Sequence, residues 1–128
     1  MTQKKLKLSV LDGLFTIHRF AADFDIPEQI YESGFYSISK TEDELSIVCN
    51  ASILLNSEET ETGWSCIKVV GPLDFSLTGI IADISAVLAK TDISIFAVST
   101  FDTDYILIKS EQVSLAKNEL LASGYTFK

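Results

Sequence analysis

Along the first half of the chain, apolar and polar residues alternate in short bursts. Leu6-Lys7-Leu8-Ser9-Val10-Leu11 and Leu14 to Phe20 have the period of two expected of strands. Asp12-Gly13 stands between them, a dipeptide suited to a tight turn, so the two runs read as a hairpin. Pro27 to Ser33 suits a short helix, with Asp25 as its cap and Gly34 as its stop. Phe35 to Lys40 and Leu45 to Cys49 alternate again around Thr41-Glu42-Asp43-Glu44, a second hairpin. Residues 50–63, with Glu58, Glu59 and Glu61, read as a short helix or a solvated loop.

The second half is more regular. Trp64-Ser65-Cys66-Ile67-Lys68-Val69-Val70 is a β-rich run stopped by Gly71-Pro72. Leu77, Ile80, Ile81, Ile84, Val87 and Leu88 then fall on one helical stripe, which predicts a helix over roughly 77–90. Asp74 or Ser76 would cap it. Gly79, placed inside its first turn at a cost of about 1 kcal/mol, suggests a packing or close-approach reason. Ile93 to Ser99 and Tyr105 to Lys109 flank Asp102-Thr103-Asp104 as a hairpin. A second helix follows from about Glu111 to Ser123, with Val113, Ala116, Leu120 and Leu121 on one side. Gly124 ends it, and Tyr125-Thr126-Phe127 closes as a strand. The order β-α-β-β-α-β is the ferredoxin-like split motif, an α+β fold with an antiparallel sheet and helices packed on one face.

Laying the halves over each other at an offset of 60 sets SISKTEDELSIV (37–48) against AVSTFDTDYILI (97–108). Acidic residues coincide, Glu42 with Asp102 and Glu44 with Asp104. Acidic turns between strands are common, but the flanking elements match too. The reading is therefore two related modules, 1–62 with an irregular pattern and 63–128.

Charge and composition narrow the chemistry. The 128 residues hold 10 Lys+Arg and 18 Asp+Glu, a net charge of −8, which repels phosphate backbones and argues against nucleic acid as a partner. RNA-binding modules share this element order, but they carry a basic face and aromatics on their central strands, which this sequence lacks. No apolar run approaches the ~18–20 residues of a membrane span. The basic start, Met1 to Leu8, is followed by no apolar signal core, so a cytoplasmic location is expected. With one histidine, His18, and two cysteines, Cys49 and Cys66, an ordinary zinc site cannot be assembled. His18 reads as a strand residue on a polar face, and the cysteines as small buried hydrophobes. Asp74, Asp102 and Asp104 are the local candidates for a base, with no nucleophile beside them, so no enzyme, cofactor or metal is expected.

Two segments stand out as candidate binding elements. Residues 71–80, GPLDFSLTGI, lead from strand to helix, where free backbone N–H groups suit a carboxylate; a plain turn with a packed Phe75 fits as well. Residues 99–105, STFDTDY, place carboxylates and threonine hydroxyls at a hairpin tip, suited to an ammonium or guanidinium group, or else form an ordinary polar turn.

GPLDFSLTGIIADISAVLAK (71–90) and ISIFAVSTFDTDYILIKSE (93–111) resemble the ACT domain. SISKTEDELSIVC (37–49) and GWSCIKVVGPL (63–73) fit the same group. The resemblance is to small bacterial tandem-ACT proteins, to the ACT modules of cytosolic arginine sensors and, more distantly, to aspartokinase regulatory regions. It covers nearly the whole chain, with little from 50–62. It implies a regulatory protein whose small-molecule ligand, an amino acid, sits between paired modules, and a homodimer. Carried over by position, Ser46 and Ile47 match strand backbone positions lining the pocket. Gly79 and Ile80 match helix-start contacts, and Thr100, Phe101 and Asp104 match hairpin contacts. Asp104 would take the cationic end of the ligand and the helix start its carboxylate. The alternative is a protein-docking module that needs no ligand.

Overall fold

A computed structural model of the chain describes residues 6–71 and 79–128. The described elements are β1 (Lys7–Val10), β2 (Phe15–Phe20), a 3₁₀ turn (Glu28–Glu32), β3 (Ser37–Lys40), β4 (Leu45–Asn50) and β5 (Glu59–Val69). They continue with α1 (Ile80–Ala89), β6 (Phe96–Ser99), β7 (Asp104–Lys109), a 3₁₀ turn (Ser110–Gln112), α2 (Val113–Ala122) and β8 (Thr126–Phe127). The architecture is α+β. The chain divides into two compact units, residues 13–64 and residues 1–12 with 65–128. β5 runs through position 62, where the sequence pattern suggested a division, and supplies residues to both units.

Within 13–64, the strand order is β3-β4-β2 followed by the first part of β5. Leu45, Ile47 and Cys49 on β4 face Phe20 and the buried Ile30 of the 3₁₀ turn, which lies over this core. Pro27 holds the N-cap position and makes no side-chain cap bond, so the expected cap at Asp25 is replaced by the preset φ of proline. Ser33 Oγ donates to Phe35 O (2.5 Å) and accepts from Asn50 N–H (3.1 Å), fastening the end of the turn to the end of β4.

The segment before Trp64 departs from the expected helix or loop. Glu59 to Gly63 are strand, paired with β2 from Arg19↔Glu59 to Ile17↔Glu61. The register shifts by one before Phe15↔Trp64, and Gly63, at φ 77°, supplies the left-handed conformation of the bulge. Arg19 explains why so acidic a stretch can pair: its guanidinium forms an ion pair with Glu58, and its carbonyl accepts the Glu58 N–H at 2.9 Å.

In the other unit, α1 and α2 pack on each other and on one apolar face built by Leu8, Ile67, Val69, Ile106 and Ile108. The helices bury Ile84, Val87 and Leu88 from α1, and Ala116 and Leu120 from α2. Leu121 is 45% exposed, because one residue past Leu120 is a turn of about 100° away from the core. Both helices end alike. Ile93 N–H reaches Leu88 O and Tyr125 N–H reaches Leu120 O, each at 3.1 Å, around left-handed residues Asp92 and Gly124.

The expected β1–β2 hairpin does not form. Gly13 turns the chain at φ 82°, but β1 pairs with the apolar end of β5 (Leu8↔Val69, Val10↔Ile67) and in parallel with β8. An eleven-residue β5 offers successive stretches to two antiparallel partners, and Leu8 is fully buried only beside Ile67 and Val69. The split motif thus gains a strand, in the order β8-β1-β5-β7-β6.

The two acidic hairpins carry one turn. Thr41 N–H donates to Glu44 O at 2.9 Å and Glu44 N–H to Thr41 Oγ1 at 3.1 Å. Thr100 N–H donates to Thr103 O at 2.8 Å and Thr103 N–H to Thr100 Oγ1 at 3.3 Å. The ladders Lys40↔Leu45 and Ser99↔Asp104 close them. The matching offset is therefore 59, one less than the acidic residues suggested, because threonine hydroxyls rather than carboxylates set the turn.

Candidate functional site

The β6–β7 tip is built from the turn just described. Thr100 Oγ1 also donates to Thr103 O at 3.0 Å, so both edges of the turn are closed. Ser99 Oγ donates to Asp104 Oδ1 at 2.5 Å, holding the carboxylate at the start of β7. Among the described residues no other hydrogen bond to this carboxylate is present, and it retains acceptor capacity for a cation. Phe101 projects at the tip, 79% exposed.

Thr103 connects this tip to the rest of its unit. It is buried, and its Oγ1 donates to Val69 O at 2.6 Å. Val69 is the last residue of β5, so the hairpin tip is fastened to the strand end that feeds the segment leading into α1. The sequence pattern offers Thr103 as one of the hydroxyls at the tip, not as the residue that anchors it. At the corrected offset Thr103 coincides with Glu44, so the repeat carries no signal for this anchoring role.

At the other end of that segment, α1 begins at Ile80, with Gly79 as its N-cap at φ 78° and ψ 6°. Gly79 O accepts Asp83 N–H at 2.8 Å, the first helical bond. Among the described residues, a Cβ at Gly79 would meet nothing within 4 Å. Gly79 thus stands at the N-cap rather than inside the first turn, and its left-handed conformation is what calls for glycine. Asp74 and Ser76, expected as caps, lie outside the described residues. Ile80 is half-buried against the apolar core. One carboxylate already serves the positive end of this helix: Asp83 in the first turn accepts the hydroxyl of buried Tyr125. Burial, then that bond and the neighbouring negative charge, push the Tyr125 phenol up.

Ser46 and Ile47 belong to the other unit. Ser46 is half-buried on β4, opposite Arg19 and Ser39. Ile47 is fully buried in the core between His18 and Ile38, so a ligand cannot reach its side chain. The structure brings Thr100 and Asp104 together at one tip with Thr103, and places Ser46 and Ile47 in the other compact unit.

His18 was expected on a polar face and is instead buried, on the same face of β2 as Phe20. Its Nδ1 lies 2.8 Å from Ser57 Oγ, which lies 2.7 Å from Thr60 Oγ1, while Nε2 has no partner among the described residues. Burial lowers its pKa. Cys49 and Cys66 are free and buried, and burial pushes the Cys66 thiol up to about 12 and the Cys49 thiol up as well. Among the described residues, no group of three or more His, Cys, Asp or Glu side chains could hold a metal ion. No helix of the described residues is long and apolar enough to cross a membrane.

Comparison with known proteins places these features. The ACT domain family model matches residues 59–121, and a separate model described as an N-terminal domain matches residues 13–54. The crystal structure of protein Atu0741 from Agrobacterium tumefaciens is 36% identical, with a TM-score of 0.90, over 98% of this chain and 94% of that one. The aspartokinase alpha and beta subunits share the fold at a TM-score of 0.62 and 15% identity, over 89% of this chain and 94% of that one. The human cytosolic arginine sensor for mTORC1 subunit 1 is 34% identical over 125 residues, which is 88% of this chain and 37% of the sensor. Its mouse counterpart is 31% identical over 121 residues, 82% of this chain and 34% of the sensor. The chain thus spans about a third of the length of the curated relatives it matches.

Proposed function

The chain belongs to the same family as Atu0741 and carries an ACT domain at residues 59–121, and from that premise we propose that it is a non-catalytic regulatory protein that binds an amino acid. The observation that carries this reading is the fastened hairpin tip, where the Asp104 carboxylate is held by Ser99 and tied through Thr103 to the end of β5. A carboxylate with spare acceptor capacity suits the guanidinium or ammonium of a basic amino acid. The sensors named for arginine are similar over most of this chain, which supports the same ligand class.

In this reading Asp104 takes the cationic end and Thr100 adds a hydroxyl. Phe101 covers the aliphatic stem, and the backbone at Gly79 and Ile80 receives the carboxylate. The ligand lies at a module or subunit interface, with the strand backbone at Ser46 and Ile47 contributing from a second, ACT-like module at 1–62, and the helix start and hairpin tip from the ACT module at 63–128. The matched Thr turns of the two hairpins support that tandem arrangement. The protein works as a cytoplasmic homodimer, with neither nucleic acid nor membrane as a partner.

The test is thermal unfolding against a panel of free amino acids, wild type beside Asp104→Ala. A ligand at about 100 times its Kd adds about 2.7 kcal/mol of stability. A Tm rise confined to basic amino acids and lost in Asp104→Ala supports the reading. An equal rise in both proteins overturns the role of Asp104, and a flat panel removes the ligand altogether. A second reading, a docking module without a ligand, is favoured by the acidic and aromatic surface of residues 13–64.

A further inference from the structure

The charge of this protein is not spread over it. Residues 13–64 hold ten Asp and Glu against two Lys and Arg, a net −8, whereas the other unit balances eight against eight. All of the net charge lies on one compact unit. The segment 21–36 of that unit, AADFDIPEQIYESGFY, contains four acids and no Lys or Arg.

The same segment exposes large apolar side chains. Its inner side is used: Ile30 is buried, and Phe24 stacks on the buried Phe20 with ring centroids 4.8 Å apart. Phe24 stays half-exposed despite that contact, Ile26, Tyr31 and Tyr36 are exposed as well, and the two tyrosines meet edge to face at 5.7 Å. Asp23, Asp25, Glu28 and Glu32 are exposed between them. Beside Asp23 an open groove of about 630 Å³ runs to Lys40, Thr41 and Glu42 at the tip of the first hairpin. Exposed rings rimmed by charge mark an interaction surface, since scattered apolar residues alone would not cluster in one acidic segment. Little basic charge offsets these acids: of the unit's two cations, Arg19 is engaged by Glu58, and only Lys40 lines the groove.

We propose that this face docks a basic amphipathic segment of another protein, one in which Lys or Arg side chains alternate with apolar anchors. Charge selects among the occupants. Nucleic acid and anionic lipid carry the sign this face repels, and a second copy docking through the same unit would bring another −8 against it. A partner bearing cations meets the carboxylates, and its apolar residues cover the exposed rings. This surface involves none of the residues assigned to the amino acid, so the proposal stands whether or not that ligand binds.

The probe is a short fluorescein-labelled peptide of alternating lysine and leucine, followed by anisotropy without any amino acid present. Two control peptides replace every lysine by glutamate or every leucine by glycine. The protein variants are Glu28→Lys/Glu32→Lys and Ile26→Ser/Tyr31→Ser, all at exposed positions and each checked for wild-type Tm. The expected result is binding at least about tenfold tighter than either control. It should weaken about tenfold in each variant, and for the charge effect it should fall as salt is raised through the range where the Debye length drops below about 10 Å. Equal binding by wild type and variants, no binding of the lysine–leucine peptide, or binding of the glutamate control overturns it. So does sedimentation showing that Ile26→Ser/Tyr31→Ser dissolves a dimer, which would make the occupant a second copy.

Discussion

Thr103→Val isolates the bond that holds the β6–β7 tip. Valine has nearly the shape of threonine, so packing is kept while the hydroxyl that donates to Val69 O at 2.6 Å is lost. Thr103 is only 4% exposed, so water cannot readily replace that donor. Leaving a buried carbonyl short of a donor costs about 1–2 kcal/mol. For a chain of this size, 1 kcal/mol moves Tm by about 3–4 °C, so the expected fall is about 3–8 °C. Thr103→Ser keeps the hydroxyl and should lose much less. The amino-acid response gives a second readout: Thr103 is assigned no ligand contact, yet a loosened tip no longer presents Asp104 beside the end of β5. The Tm rise with a basic amino acid should therefore shrink in Thr103→Val and survive in Thr103→Ser. A Thr103→Val protein as stable as both wild type and Thr103→Ser would refute the reasoning, because the bond would then contribute nothing to placing the tip.

Tyr125→Phe removes the hydroxyl given to Asp83 and should lower Tm by about 3–4 °C, for a bond worth about 1 kcal/mol beside a half-buried carboxylate; an unchanged Tm would show that the contact is only geometric. His18 has a folded pKa lowered from 6.5 by burial, so the unfolded chain takes up a proton that the folded chain resists. Its contribution is intact above about pH 6.5 and is lost as pH falls from there toward the lower folded pKa. Melting curves across that window should fall with pH for wild type and flatten for His18→Phe; parallel curves would contradict the assignment.

Most elements could be read because their causes are local. The Ile80 to Leu88 stripe, the Gly124 stop and the alternation of Ile38, Leu45 and Ile47 follow from residues within one helix turn or one strand. What escaped depends on partners far along the chain. Alternation shows that β1 and β2 are strands and which side is buried, but not that Leu8 belongs beside Val69 rather than across Asp12-Gly13. Glu59 and Glu61 look like loop residues until Arg19 is known to lie opposite. His18 looks solvated by type, and only its place opposite Ile47 and Thr60 shows it to be enclosed. Of the candidate site, the tip residues Thr100 and Asp104 could be picked out, whereas the anchoring role of Thr103 could not, because it lies in a bond to a strand 34 residues away.

The corrected register carries a consequence for stoichiometry. At an offset of 59, Thr41 and Thr100 coincide, and so do Ile47 and Ile106, each fully buried in the core of its own unit. Ser99 and Asp104, which form the carboxylate clamp of the second hairpin, coincide with Lys40 and Leu45. Leu45 is fully buried, so the first hairpin has an apolar core residue where the second presents an acid. Two tips sharing one backbone turn therefore differ at the position that would hold a cation. If Asp104 is the cation acceptor, each chain offers one such site, and titration calorimetry with the stabilising amino acid should saturate at one equivalent per chain. Two equivalents would mean that the cation is held by something both hairpins share, and the turn itself, with its paired threonine hydroxyls, would replace Asp104 as the recognising group.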